Sequence, residues 1–159
     1  MTGKLPARLN VLTLGVRDLP KVRAFYEALG WESLSEGEEF ARFQTGGATL
    51  ALFSLGLLAG EANMRPSEET GSFAGFTCAV LVEEEGMVDE ALETVRGTGG
   101  RVLAEPVARK WGGRSGYFAD PEDNVWELAW MSGATFDEWG GLIWPYRTSE
   151  NLPSRHLGE

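Results

Sequence analysis

The chain is poor in the residues that most chemistry at neutral pH relies on. It has one cysteine, Cys78, and one histidine, His156, among 159 residues. A lone thiol excludes an internal disulfide and fits a reducing compartment, so a cytoplasmic protein is expected. A lone, near-terminal histidine argues against a Ser-His-Asp or Cys-His catalytic set. No apolar run of about 18 residues is present, so no membrane-spanning helix is expected. The N-terminus lacks a signal-peptide core, since Lys4 and Arg8 flank only short apolar pieces. Basic residues are also scarce: 14 Lys and Arg stand against 24 Asp and Glu, for a net charge of −10. That balance disfavours nucleic acid and anionic membranes as partners. Arg109-Lys110 is an isolated basic pair and reads as surface. Gly112-Gly113 is followed by neither Lys-Ser nor Lys-Thr and opens no helix, so it is no phosphate loop.

What is present is strand and helix patterning with the punctuation to match. Gly116 to Trp130 reads as strand, tight turn, strand, with Pro121 in the turn just after Asp120. Past the turn the residues alternate. Trp126, Leu128 and Trp130 share a large apolar face that needs covering; Val125, Glu127 and Ala129 share the other. A carboxylate between Val and Ala is either a surface group or a pocket residue. In a dry pocket its pKa would rise.

Leu9–Val16 is a first strand, with Val11, Thr13 and Gly15 on one face. Asp18 and Pro20 open an amphipathic helix over Pro20–Leu29, carrying Val22, Phe25, Tyr26 and Leu29, and Gly30 stops it. A short strand is expected near Trp31–Ser35. Glu39–Gln44 and Thr49–Ser54 form a hairpin around Gly46-Gly47. A Gly- and Glu-bearing connection follows, with a short helical turn expected near Leu57–Asn63. The order then repeats. Phe76–Val82 is a strand, and Met87, Val88, Ala91, Leu92 and Val95 mark a second helix. Arg101–Glu105 is a short strand ending at Pro106, and the Gly116–Trp130 hairpin completes the set.

A shift of 66 residues lays Val11 on Thr77 and Leu14 on Val80, and a shift of 76 lays Ala51 on Glu127. This is a duplicated supersecondary unit. The expected segments are a first module over 8–56, a connection over 57–72, a second module over 73–131 and an extension over 132–159. Phe136, Trp139, Trp144 and Tyr146 in that extension need a surface to dock on.

Two stretches resemble the vicinal oxygen chelate superfamily, which includes glyoxalases, extradiol dioxygenases and bleomycin-resistance proteins. One is Thr13-Leu14-Gly15-Val16-Arg17-Asp18-Leu19 with Ala24-Phe25-Tyr26 and Leu29-Gly30-Trp31. The other runs from Trp111 to Pro121 and on through Asn124-Val125-Trp126-Glu127; it departs from the family at Asp123, where Gly is usual. The resemblance implies an α+β fold of two βαβββ modules. They would form a cupped, mainly antiparallel eight-stranded sheet with helices outside. It also implies a homodimer, and in the family's enzymes a metal held from four strand positions. Those positions fall here on Val11, Ala51 (or Leu50), Thr77 and Glu127.

Of the four, only Glu127 binds a divalent metal well; Val11 and Ala51 have no donor and Thr77 is a poor one. The expectation is therefore no metal and no cofactor. The expected function is small-molecule binding, as in bleomycin-resistance proteins, with a neutral or cationic, partly aromatic ligand. The ligand-binding candidates are Val11, Thr13, Ala51, Phe53, Thr77, Ala79, Trp111, Arg114, Tyr117 and Glu127. Their mix of apolar surface and a few polar groups suits such a pocket. Arg114 turned inward would neutralise Glu127. The alternatives are a metal-free isomerase or epimerase with Glu127 as catalytic base, and then a metal-dependent glyoxalase- or dioxygenase-type enzyme.

Overall fold

The computed structural model describes residues 5–34 and 37–143. His156, Trp144 and Tyr146 lie outside the described residues. The first module runs β1 (Val11–Val16), α1 (Leu19–Ala28), β2 (Phe40–Phe43) and β3 (Thr49–Ser54). A short helix α2 (Leu55–Glu61) follows in the connection. The second module runs β4 (Cys78–Leu81), α3 (Met87–Gly97), β5 (Arg101–Ala108), β6 (Gly113–Ala119) and β7 (Val125–Met131). A two-stranded hairpin, β8 (Thr135–Phe136) and β9 (Leu142–Ile143), closes the described chain.

Both modules have the same wiring. In each, the first strand pairs in parallel with the last, and the remaining pairings are antiparallel. The register repeats as well: Thr13 faces Ala51 and Leu14 faces Leu52, while Ala79 faces Glu127 and Val80 faces Leu128. The shifts of 66 and 76 residues therefore carry one parallel ladder onto the other.

Among the described residues the strands do not join into one sheet of eight. The described residues form a three-stranded sheet ordered β1-β3-β2 and a four-stranded sheet ordered β4-β7-β6-β5, with the hairpin apart. Of the strand expected near Trp31–Ser35, the described residues form one bridge, Ser33 to Phe43, and Ser35 lies outside them. β5 runs past Pro106 rather than ending there, with register shifts on both sides of Ala104. Pro106 is tolerated because β5 is the edge strand of its sheet.

The two sheets share one core. Leu14, Val16, Leu50 and Leu52 of the first sheet and Phe118, Trp126 and Leu128 of the second bury with α1 and α3 in a single apolar cluster. Tyr26 of α1 is the hinge-pin of that cluster. It lies between Phe43 and Trp126 and stacks on Trp31. Its hydroxyl donates to Asp120 Oδ2 at 2.8 Å and accepts from Trp126 Nε1 at 2.9 Å. Asp120 also holds the β6–β7 turn, accepting from the Glu122 and Asn124 backbone N–H groups at 2.9 and 3.0 Å. Asp123 sits in that turn at φ +66°, a left-handed conformation that Asp tolerates where the family uses Gly. Glu122 crosses to the first module and accepts from the backbone N–H groups of Arg17 and Asp18, at the start of α1. Among the described residues no helix is long and apolar enough to cross a membrane.

Candidate functional site

The side chains that point away from the shared core form a second, more polar face on each sheet. On the four-stranded sheet this face carries Ser115, Tyr117 and Ala119 of β6, opposite Ala129, Glu127 and Val125 of β7. Ala79 lies beside Glu127 on β4. A cavity of about 460 Å³ opens here, lined by Thr77, Arg101, Leu103, Tyr117, Ala119 and Val125 and walled by Gly71, Ser72 and Phe73 of the connection. Arg101 and Asp123, paired at 2.6 Å, stand at its rim.

A polar cluster adjoins the cavity at Tyr117. Arg109 Nε donates to Ser115 Oγ at 2.9 Å, and its guanidinium lies 5.5 Å from the Tyr117 ring centroid. Ser115 is fully buried. The Tyr117 hydroxyl pKa is raised, first by burial and then by hydrogen bonding to the Glu127 carboxylate, against the pull of Arg109. Glu127 itself is half-buried, directly across the strand pair from Tyr117. The face thus carries a carboxylate, a phenol and a guanidinium in succession.

Trp111 lies at the far end of this face, 50 % exposed, with its ring against Gly113. A Cβ on Gly113 would meet the Trp111 ring at 1.8 Å, so only glycine fits.

The first module's candidates lie on the other sheet. Val11 and Thr13 of β1 share a face with Ala51 and Phe53 of β3. They do not line the cavity. Helix α2 covers part of that face, for a Cβ on Gly15 would lie 2.8 Å from Leu55 Cδ1. Val11 is half exposed, whereas Ala51 is buried.

Arg114 does not reach the cleft face. It binds Asp89 of α3 through two hydrogen bonds of 2.8 Å, on the helix-covered side of the sheet. An odd separation from Tyr117 along one strand puts the two on opposite faces. Arg109, expected at the surface, occupies the cleft face instead. Sequence reasoning also missed Phe73, Arg101 and Leu103. Continuing the alternation of β5 would have found the latter two; Phe73 carries no such signal.

Residues 8–128 match the family model for the glyoxalase/bleomycin resistance protein/dioxygenase superfamily. The chain belongs to this superfamily. Among solved structures, a glyoxalase-related enzyme from Fulvimarina pelagi is 28% identical, over 87% of this chain and 99% of its own, with a TM-score of 0.79. A glyoxalase/bleomycin resistance protein/dioxygenase from Nocardioides is 25% identical, over 83% and 89%, with a TM-score of 0.68. A lactoylglutathione lyase from Agrobacterium tumefaciens, 21% identical over 80% and 96%, shares the fold with a TM-score of 0.61. No curated protein matches the chain by sequence.

The residues present do not fit the metal that superfamily enzymes hold. Val11, Ala51 and Thr77 occupy three of the four implied positions, and the side chain facing Glu127 across the strands is a tyrosine. Among the described residues no group of three or more His, Cys, Asp and Glu side chains is placed to hold a metal ion. Cys78 adds no soft ligand. It is buried in the core, and desolvation pushes its thiol up to about 11.

Proposed function

We propose that this superfamily member is a metal-independent, cofactor-free small-molecule-binding protein of the cytoplasm. Its ligand is small and partly aromatic, and presents a donor or cationic group to Glu127. The observation that carries this reading is the cavity that ends on Tyr117, with Glu127 half-buried beside it. Apolar walls with a few converging polar groups are how small-molecule sites are built. Phe73 and Tyr117 offer faces for a planar ring, each contact worth about 0.5–1.5 kcal/mol. A partly dry carboxylate favours a donor or a cation.

The test has two arms. Metal analysis of protein purified without chelator should find no stoichiometric transition metal. A thermal-shift screen of cationic aromatics against size-matched carboxylates and phosphates should yield cationic hits that Glu127→Gln weakens. A hit at about a hundredfold over its dissociation constant stabilises by about 2.7 kcal/mol. Stoichiometric metal, or anions binding where cations do not, refutes the reading.

One observation favours a second reading. Tyr117 and Glu127 stand directly opposite each other on β6 and β7, a placement that suits a metal-free acid–base pair for isomerisation or epimerisation, with Glu127 taking the proton. Turnover by wild type and none by Glu127→Gln supports the enzyme. Saturable binding without turnover supports the binder.

The assembly proposed is a homodimer. β1 and β4 each end a sheet and leave one edge unpaired. Leu9, Val11 and Phe76 are apolar and exposed, in or next in sequence to those strands. Exposed edges and apolar side chains are ordinarily covered. A monomer mass by light scattering at high concentration counts against it.

A further inference from the structure

We propose that Arg109 is a specificity-determining residue, and that the polar cluster adjoining the cavity at Tyr117, a groove between Arg109 and Glu127, takes an amphoteric aromatic ligand whose carboxylate sits on Arg109 while its cationic or donor group meets Glu127. This rests on the small-molecule reading above and adds a second pole to it.

The geometry that places Arg109 is local. Its backbone N–H donates to Gly113 O at 2.7 Å, and Gly112 N–H returns to Arg109 O at 3.0 Å. Gly112 supplies the positive φ, +88°, that closes the turn. The side chain then lies back over β6. Nε donates to Ser115 Oγ at 2.9 Å and an Nη donates to Ser115 O at 3.2 Å. The Tyr117 ring supports the guanidinium from 5.5 Å. A guanidinium so held has already given up its side-chain freedom, and a ligand does not have to order it.

Its charge is available. Arg17, Arg23, Arg96, Arg101 and Arg114 each pair with a carboxylate. Among the described residues Arg109 pairs with none, and its side-chain hydrogen bonds go to uncharged Ser115. A guanidinium has five N–H donors, and the two bonds to Ser115 leave three for a ligand. These are the donors that read a carboxylate in forked geometry. Glu127 is the complementary pole, and Tyr117, opposite Glu127 across the strands and beneath the guanidinium, stands between the two.

The test uses four size-matched probes: 4-(aminomethyl)benzoate, benzylamine, benzoate and benzyl alcohol. Dissociation constants are measured by titration of the labelled, full-length protein, followed by NMR at the Tyr117, Glu127 and Arg109 amides. In wild type, 4-(aminomethyl)benzoate should bind about tenfold or more tighter than benzylamine, the factor one charge-assisted contact supplies. Arg109→Gln should abolish that advantage, while benzylamine binds no more weakly than to wild type, since a neighbouring like charge has been removed. Glu127→Gln should weaken benzylamine and 4-(aminomethyl)benzoate but should not weaken benzoate, which loses a like-charged neighbour. The wild-type comparison stands even if a variant misfolds. If benzylamine binds and the added carboxylate brings no gain, the role of Arg109 is overturned while the small-molecule reading survives. If none of the four moves the groove resonances at 20 mM, a value of about 2 kcal/mol on the binding scale, both fall.

Discussion

Replacing Tyr26 by Phe removes one oxygen and tests whether the two modules are joined by a specific bridge or by apolar packing alone. The ring is fully buried, and its hydroxyl donates to Asp120 Oδ2 at 2.8 Å and accepts from Trp126 Nε1 at 2.9 Å. Losing a bond to a charged group costs about 1.5–3 kcal/mol. Stranding the Trp126 N–H adds a desolvation cost of about 1–3 kcal/mol. Asp120 Oδ2 still accepts from Asn124 Nδ2 at 2.9 Å, which softens the loss on that side. The expected total is about 2–4 kcal/mol, the sum being less than additive. At the middle of that range the melting temperature falls by about 6–12 °C for a chain this long. Urea unfolding should show a lower midpoint with an unchanged m-value. Trp126→Phe, combined with Tyr26→Phe, should cost less than the two single changes together, by about 1–2 kcal/mol, because no N–H is then stranded. Groove ligands should bind Tyr26→Phe as they bind wild type, since the hydroxyl lies on the core side of the sheet. A cost below about 1 kcal/mol, or strict additivity in the cycle, refutes the bridge.

Glu122→Ala should cost about 1–3 kcal/mol in urea unfolding, because the Arg17 and Asp18 backbone N–H groups lose their acceptor in the other module. Gly113→Ala should displace Trp111, since the new Cβ would lie 1.8 Å from its ring and 2.3 Å from the Trp130 carbonyl oxygen; a shift in tryptophan emission and weaker ligand binding are the readouts. Alkaline pH should destabilise the fold through Cys78. Burial raises its thiol from 9.0 to about 11, so the unfolded chain loses the proton first; the stability is whole below pH 9, falls as pH rises from there, and levels off above 11. Cys78→Ala should flatten that part of the profile in urea midpoints taken from pH 8 to pH 11, a span of at most about 2–3 kcal/mol at 1.36 per unit.

Alternation and punctuation were enough to read most elements. Strand faces follow from a period of two and helix stripes from a period of 3.6, both local consequences of backbone geometry. β3 spans Thr49–Ser54 as its alternation predicts, and α1 starts beside Asp18 and stops before Gly30 for capping reasons visible in the chain. The duplicated register followed from two shifts in residue number. Even Arg114 was legible, since counting from Tyr117 places it on the helix side; pairing it with the cleft ignored the parity. Other features were not legible, because they depend on where separate pieces of chain meet. Arg109 is aimed by the hydrogen bonds of the turn that follows it, which no periodicity encodes. Phe73 becomes a cavity wall only when the connection folds across β5 and β6. Val11, Thr13, Ala51 and Phe53 occupy the strand faces that the pattern assigns, but the pattern says nothing of which sheet faces which. The shared core around Tyr26 settles that within the chain, by burying one face of each sheet against the same helices. Local order is written residue by residue, whereas a site is assembled from contacts between residues far apart in sequence, and only packing chooses them.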